Sequence, residues 1–113
     1  MRGQETDVER FIVVSTTVSG EDEAKRISRL LVDEKLAACA QRLRIASVYR
    51  WKGSVETADE YLVLVKSKES LSTRIIERIK AVHAYDVPEI TVTPITGGHS
   101  EYLAWIAEET QSV

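Results

Sequence analysis

Hydrophobic positions along the chain follow two periods, and each change of period marks the boundary of a predicted element. Residues 11–14 form a nearly continuous and largely β-branched apolar run, which is typical of a central strand covered on both faces. Apolar residues then recur at helical spacing and predict a helix over residues 20–34. Ser19 and Asp22 resemble a helix-start signal, in which the serine hydroxyl caps free backbone N–H groups.

The period changes to two over residues 43–51, which predicts the first arm of a long β-hairpin. One face of this arm carries large apolar side chains, namely Leu43, Ile45, Tyr49 and Trp51. Lys52 and Gly53 provide the turn, since glycine takes the positive φ that a tight hairpin needs. The second arm follows over residues 54–66. Each arm of about ten residues exceeds the usual strand of about five or six.

A second helix follows the hairpin. Ser67 or Ser70 is placed to cap its first turn. The helix should end near His83 or Ala84, because Pro88 is close behind and the residue before a proline disfavours helix.

The last two predicted elements are a strand over residues 89–95 and a short amphipathic helix over residues 100–109. Pro94 must lie at the end of the strand or on a sheet edge. The order β-α-β-β-α-β-α predicts an α+β fold of the split βαβ kind, with two helices on one face of a four-stranded antiparallel sheet. The other face would expose apolar side chains, so we expect the chain to assemble with copies of itself.

Length, charge and cysteine content narrow the class of protein. The 113 residues predict a single domain over residues 1–113, with an ordered core of about residues 9–109. A net charge of −3 disfavours a nucleic-acid partner. No apolar run approaches the length of about 20 residues that spans a bilayer, and the polar first residues do not resemble a signal peptide. One cysteine indicates a reducing compartment, so we expect a cytoplasmic protein without a membrane partner.

Several short motifs occur in a fixed order between residues 11 and 107. They are Leu36-Ala37-Ala38-Cys39, Ser47-Val48-Tyr49-Arg50-Trp51-Lys52-Gly53, His83-Ala84-Tyr85-Asp86-Val87-Pro88-Glu89-Ile90, Pro94-Ile95 and Tyr102-Leu103-Ala104-Trp105. Together they resemble the CutA family of divalent-cation tolerance proteins. Gln41 is a departure, because the family usually has asparagine there, and the longer side chain displaces the amide by about one methylene.

The resemblance implies a homotrimer with a ferredoxin-like core, similar in shape to the PII signalling proteins. It also implies an association with copper or another divalent cation, without an obligatory cofactor. Cys39 and His83 are the candidate metal ligands, because thiolate and imidazole suit copper and zinc. Both residues also have structural interpretations, since cysteine packs well in cores and histidine suits the negative end of a helix.

Five further residues are candidates for a subunit interface or for a ligand cleft between subunits: Trp51, Glu60, Lys66, Tyr85 and Glu89. Trp51 adjoins the hairpin turn, where an isolated subunit would leave it exposed. Glu60 shares a face with apolar residues of its strand and, paired with Lys66 or with an arginine of a neighbour, would line a polar cleft. Clefts of this kind are natural ligand sites.

The sequence favours a binding protein over an enzyme. It contains no plausible Ser-His-Asp set, no phosphate-binding glycine loop and no metal-hydrolase helix motif. Our interpretation is a homotrimeric divalent-cation tolerance protein that binds metal ions or takes part in the response to them. The alternatives are a PII-like sensor of a small molecule and a stable trimeric scaffold for a partner protein.

Overall fold

The computed structural model describes residues 8–112, and the predicted element order is confirmed within them. The elements are β1 (Phe11–Val18), α1 (Glu21–Asp33), β2 (Cys39–Trp51), β3 (Ser54–Lys68), a 3₁₀ turn (Glu69–Leu71), α2 (Ser72–Val82), β4 (Ile90–Ile95) and α3 (Ser100–Glu108). None of the helices in this part of the chain is long and apolar enough to cross a membrane.

The four strands form one antiparallel sheet in the order β2-β3-β1-β4. The central strand β1 pairs with β3 on one side, from Phe11 opposite Lys68 to Val18 opposite Tyr61, and with β4 on the other. Pro94 lies on the edge strand β4, as its missing N–H requires. This α+β arrangement confirms the predicted ferredoxin-like fold.

The core lies between one face of the sheet and helices α1 and α2. Ile12 and Val14 of β1 are buried there against apolar side chains of both helices, including Ile27, Leu31 and Ile75. Each such side chain contributes about 1.5–3 kcal/mol relative to exposure. The prediction that β1 is covered on both faces was wrong for most of the strand in the single chain, because burial alternates over residues 11–16 and the second face is only half-buried there.

The predicted cap of α1 was also wrong. Gly20 precedes the helix as its N-cap, and no side chain caps the first turn. The Ser19 hydroxyl instead donates a hydrogen bond to Glu23 Oε1 at 3.4 Å. The start of α1 therefore relies on the acidic residues of its first turn, which suit the positive end of the helix dipole.

Neither serine predicted to cap α2 does so. Ser67 Oγ donates to the Leu36 carbonyl oxygen at 2.6 Å, which ties β3 to the segment before β2. Ser70 lies in the 3₁₀ turn, and the N-cap residue is Leu71, without a side-chain cap. The predicted end of the helix is confirmed, since His83 is the C-cap residue.

The hairpin is longer than its sequence pattern indicates, with 13 residues in β2 and 15 in β3. Lys52 and Gly53 form its two-residue turn with φ values of 50° and 84°. Two positive φ values are the signature of a type I′ turn, whose twist matches the strands. Because β1 ends opposite Tyr61, hairpin residues 45–60 extend beyond the rest of the sheet. The molecule is correspondingly elongated, with extents of 55 × 27 × 26 Å.

The sheet face turned away from α1 and α2 is called the open face here. The strand register places Cys39, Lys66 and Val13 opposite one another on this face. Farther along β2, the same face carries Leu43, Tyr49 and Trp51, which are 47%, 44% and 43% exposed. The predicted exposure of large apolar side chains on one sheet face is thereby confirmed for the single chain.

Candidate functional site

A cleft of about 540 Å³ lies beside the overhanging part of the hairpin. It brings together four of the predicted cleft residues: Trp51, Glu60, Tyr85 and Glu89. Tyr49 and Asp86, which were not among the predicted cleft residues, also line it. Tyr49 was detectable, because it precedes Trp51 by two positions and therefore shares its face.

The end of β1 creates the cleft. Glu60 lies one residue beyond Tyr61, where the pairing of β3 with β1 stops. The segment of residues 83–89, between α2 and β4, packs against this end and brings its side chains towards the hairpin. The cleft is thus bounded by two strands of the hairpin on one side and by this segment on the other.

A hydrogen bond between Tyr85 and Glu60 joins the two sides of the cleft. The Tyr85 hydroxyl donates to Glu60 Oε2 at 2.8 Å, and Glu60 is only 8% exposed. Burial, together with this hydrogen bond, raises the pKa of the Tyr85 phenol above its ordinary value. The phenol therefore remains a proton donor to the carboxylate at neutral pH.

His83 fixes the segment that carries Tyr85. The Tyr85 backbone N–H donates to His83 Nδ1 at 3.1 Å, so Nδ1 carries no proton and the other ring nitrogen does. His83 Nε2–H then donates to the Thr17 carbonyl oxygen at 2.9 Å. The Ala84 N–H adds a contact of 3.3 Å to Glu23 Oε2. Because both ring nitrogens have partners, a metal ion at His83 would have to displace one of them.

Cys39 lies at the opposite end of the open face. Its half-buried Sγ is 3.9 Å from the Tyr102 hydroxyl. Lys66, directly opposite Cys39 in the sheet, places its ammonium 5.6 Å from the centre of the Tyr102 ring. Tyr102 in turn stacks on Trp105 at 5.5 Å between ring centres. Lys66 therefore belongs to this group and not to the cleft that contains Glu60.

The chain does not bring the two predicted metal ligands together. Cys39 aligns through Lys66 with Val13, whereas His83 binds the carbonyl of Thr17, four residues farther along β1. Four residues of a strand span about 13 Å. Within residues 8–112, no three His, Cys, Asp or Glu side chains lie close enough to hold a metal ion.

A second depression, of about 370 Å³, lies between the end of α1 and α2. It is lined by the ion pair in which Arg78 donates to both carboxylate oxygens of Glu34, with a shortest distance of 2.7 Å. This hydrogen bond holds the pKa of Glu34 below its ordinary value. The two charges satisfy each other, so we interpret the depression as a structural tie between the helices.

The lining of the larger cleft is acidic and aromatic. It combines the carboxylates of Glu60, Asp86 and Glu89 with aromatic walls. The nearby His83 ring contacts only backbone atoms through its nitrogens, so it activates no nucleophile in this arrangement. Fold and cleft together define a small ferredoxin-like α+β domain with an acidic cleft beside its long hairpin.

Comparison with known proteins identifies the family. The family model described as the CutA1 divalent ion tolerance protein matches residues 12–109, and the chain belongs to this family. The chloroplastic Protein CutA 1 of Oryza sativa subsp. japonica is 44% identical over 101 residues, which cover 88% of this chain and 57% of that protein. The chain thus spans little more than half the length of this rice relative.

Two further comparisons agree with this membership. The divalent-cation tolerance protein CutA of Thermus thermophilus is 44% identical over 99 residues, covering 87% of this chain and 96% of that protein. The crystal structure of CutA1 from Oryza sativa matches the fold with a TM-score of 0.89 at 42% identity, covering 92% of this chain and 96% of that one. The predicted family and fold are therefore confirmed.

Proposed function

We propose that this chain forms a homotrimeric divalent-cation tolerance protein, which binds copper or another divalent cation or takes part in the response to such ions. Family membership over residues 12–109 carries the proposal. The relatives are named for tolerance of divalent cations and not for a reaction, which agrees with a binding role. We propose no obligatory cofactor and no catalytic residue.

Two features of the single chain support assembly with copies of itself. The open face exposes Leu43, Tyr49 and Trp51, and burial of such side chains drives most protein association. Hairpin residues 45–60 also lack a neighbouring strand beyond β2 and β3. Unpaired strand edges of this length are normally covered or paired. A closed trimer in which open faces pack together and strands are shared between subunits would satisfy both requirements.

Cys39 is the metal ligand we favour over His83. Its sulfur has only the long contact to the Tyr102 hydroxyl, whereas both nitrogens of His83 are already hydrogen-bonded. A thiolate is also the ligand that Cu(I) prefers. In the proposed trimer, copies of Cys39 on neighbouring subunits would supply the further ligands.

Isothermal titration of the reduced, metal-free protein with chelator-buffered Cu(I) tests this function. We expect sub-nanomolar binding at a defined ratio per trimer, which is lost in Cys39→Ser. The matched control is His99→Gln, which removes an exposed histidine outside the open-face strands and should bind like the wild type. Binding no tighter than micromolar, or equal binding by Cys39→Ser, would reduce Cys39 to a packing role.

The cleft supports a second candidate function, that of a small-molecule sensor. Its volume of about 540 Å³ falls within the range of about 300–1,000 Å³ of ligand pockets. A trimeric scaffold for a partner protein is the remaining alternative, and tight binding of a ligand would argue against it as the sole role. We propose the cytosol as the location because of the single cysteine, although the rice relative is named a chloroplastic protein.

A further inference from the structure

The tail that follows α3 is tied to two other elements through one residue, Gln111. Its backbone N–H donates to the Lys35 carbonyl oxygen at 2.8 Å, and its side-chain Nε2 donates to the Glu34 carbonyl oxygen at 2.9 Å. Its own carbonyl oxygen accepts from the Lys68 ammonium at 2.8 Å. These three hydrogen bonds, called the clasp here, join the tail to the end of α1 and to the end of β3.

The end of α1 has a need for these donors. The last carbonyl groups of a helix have no partner within the helix, and α1 has no basic residue in its last turn to serve them. Lys35, just after the C-cap residue Glu34, takes the left-handed conformation with a φ of 59°, at a position where helices usually carry glycine. Gln111 then supplies donors to the carbonyl groups of both residues. The tail therefore caps α1 from a distant part of the chain.

The bond from Lys68 adds a charge to the clasp. Lys68 is only 7% exposed, and it forms no ion pair among residues 8–112. Its ammonium donates instead to the Gln111 carbonyl oxygen. A charge-assisted hydrogen bond is roughly twice as strong as a neutral one. The position of Lys68 therefore favours a tail that stays in place.

Helix α3 itself is weakly attached to the rest of the chain. It has nine residues, whereas isolated helices shorter than about 12–15 residues are marginal in water. Its buried residue Ile106 is not part of the core cluster that the sheet shares with α1 and α2. Tyr102, one helical turn before Ile106 on the same face, makes only the long contact of 3.9 Å to Cys39 Sγ. The position of α3 thus depends on what holds its tail.

We propose that α3 and its tail form a detachable unit, which the clasp at Gln111 holds on the sheet and which opens without unfolding of the core. In the closed position, Tyr102 lies beside Cys39 and Lys66. Opening removes Tyr102 from both residues and so changes the surroundings of the residue favoured above as a metal ligand. This consequence for metal binding rests on the function proposed above, whereas the clasp and the detachable unit do not.

Amide hydrogen exchange of the assembled, metal-free protein tests the proposal without reference to copper. In the wild type, we expect the amides of α3 to exchange faster than the slowest amides of α2, because local opening exposes them without global unfolding. Gln111→Met removes the Nε2 donor at nearly constant side-chain length, and it should accelerate exchange in α3 about two- to tenfold. Ser112→Ala, at an exposed neighbour in the same tail, should leave the exchange of α3 unchanged.

A core variant separates opening of α3 from unfolding of the whole molecule. Ile75→Val weakens the core cluster beneath α2, which does not include α3. It should accelerate the slowest amides of α2 about two- to tenfold and leave those of α3 as in the wild type. Equal acceleration of α2 and α3 in Ile75→Val would show that α3 opens only with the whole molecule. Unchanged exchange of α3 in Gln111→Met would show that other contacts, such as those with a neighbouring subunit, hold the helix. Either result would overturn the proposal.

Discussion

At the scale of single residues, the hydrogen bond between Tyr85 and Glu60 determines the shape of the cleft. It joins the segment before β4 to the hairpin, and it provides a buried carboxylate with a neutral donor. His83 holds Tyr85 in position for this bond, because it accepts from the Tyr85 backbone N–H and donates to the carbonyl oxygen of Thr17 on β1. The cleft therefore depends on His83 and Tyr85, which lie two positions apart in the chain and contact β1 and β3, respectively.

Replacement of Tyr85 by phenylalanine tests the importance of this bond. The change leaves Glu60 Oε2 without its donor, so we expect the free energy of unfolding to fall by about 1–3 kcal/mol. Urea unfolding at neutral pH and fixed protein concentration measures it. Tyr61→Phe is a suitable control, because no described side chain bonds to that hydroxyl. A loss for Tyr85→Phe no larger than that of the control would contradict our account of the cleft.

The difference in stability between the wild type and Tyr85→Phe should also depend on pH, and the pKa shift of Tyr85 gives the sign of this dependence. Because the folded state raises the pKa of Tyr85, its contribution to stability is complete below the pKa of an unfolded tyrosine, which is about 10. The contribution is lost as the pH rises above that value. The difference in stability between the wild type and Tyr85→Phe should therefore shrink above about pH 10. A constant difference at alkaline pH would show that the phenol proton is not involved.

The sequence allowed prediction of some site residues and concealed others. Trp51 and Glu60 were identifiable because strand alternation places them on a face with apolar neighbours. The partner of Glu60 was not, because the bond to Tyr85 links residues 25 positions apart through the end of β1. Lys66 is six positions from Glu60 along one strand, which separates the two by about 20 Å. The alternation of side chains along β3 assigned Glu60 and Lys66 correctly to one face. It gave no information on how far Lys66 lies from the cleft.

At the scale of elements, the β2–β3 hairpin is the feature that distinguishes the chain from a minimal split βαβ domain. The alternating residues 43–51 indicated the later part of its first arm, whereas the first four residues of β2, 39–42, gave no strand signal. Pairing with β3 decides that the strand begins at Cys39. The prediction that Ser67 caps α2 was wrong for a similar reason. Its hydroxyl donates to the distant Leu36 carbonyl oxygen, and the local sequence does not show such a tertiary hydrogen bond.

The turn of the hairpin yields a prediction at this scale. Gly53 has a φ of 84°, a conformation that strains any residue with a Cβ atom. We expect Gly53→Ala to lower the free energy of unfolding by about 1–2 kcal/mol. Gly97→Ala is the control, because a Cβ atom at that position meets no other atom within 4 Å. Similar stability of the two variants in urea unfolding would contradict the type I′ assignment.

At the scale of the whole molecule, the single chain is an incomplete unit. One sheet face is covered by α1 and α2, while the other leaves large apolar side chains exposed, and the hairpin reaches beyond its own sheet. The proposed homotrimer would complete both features, and in it copies of Cys39 would share a metal ion. The proposed metal function thus depends on assembly, and the state of association is its most direct test.

Sedimentation equilibrium of the wild type, Trp51→Ala and the control His99→Ala measures this state. We predict that the wild type and the control sediment at three times the 12.7 kDa mass of the chain. Trp51→Ala should already be dissociated at protein concentrations at which the wild type is still a trimer, because it removes an exposed indole from the proposed interface. An unchanged trimer for both variants would contradict the place of Trp51 in the interface, and a wild-type monomer would contradict the account as a whole.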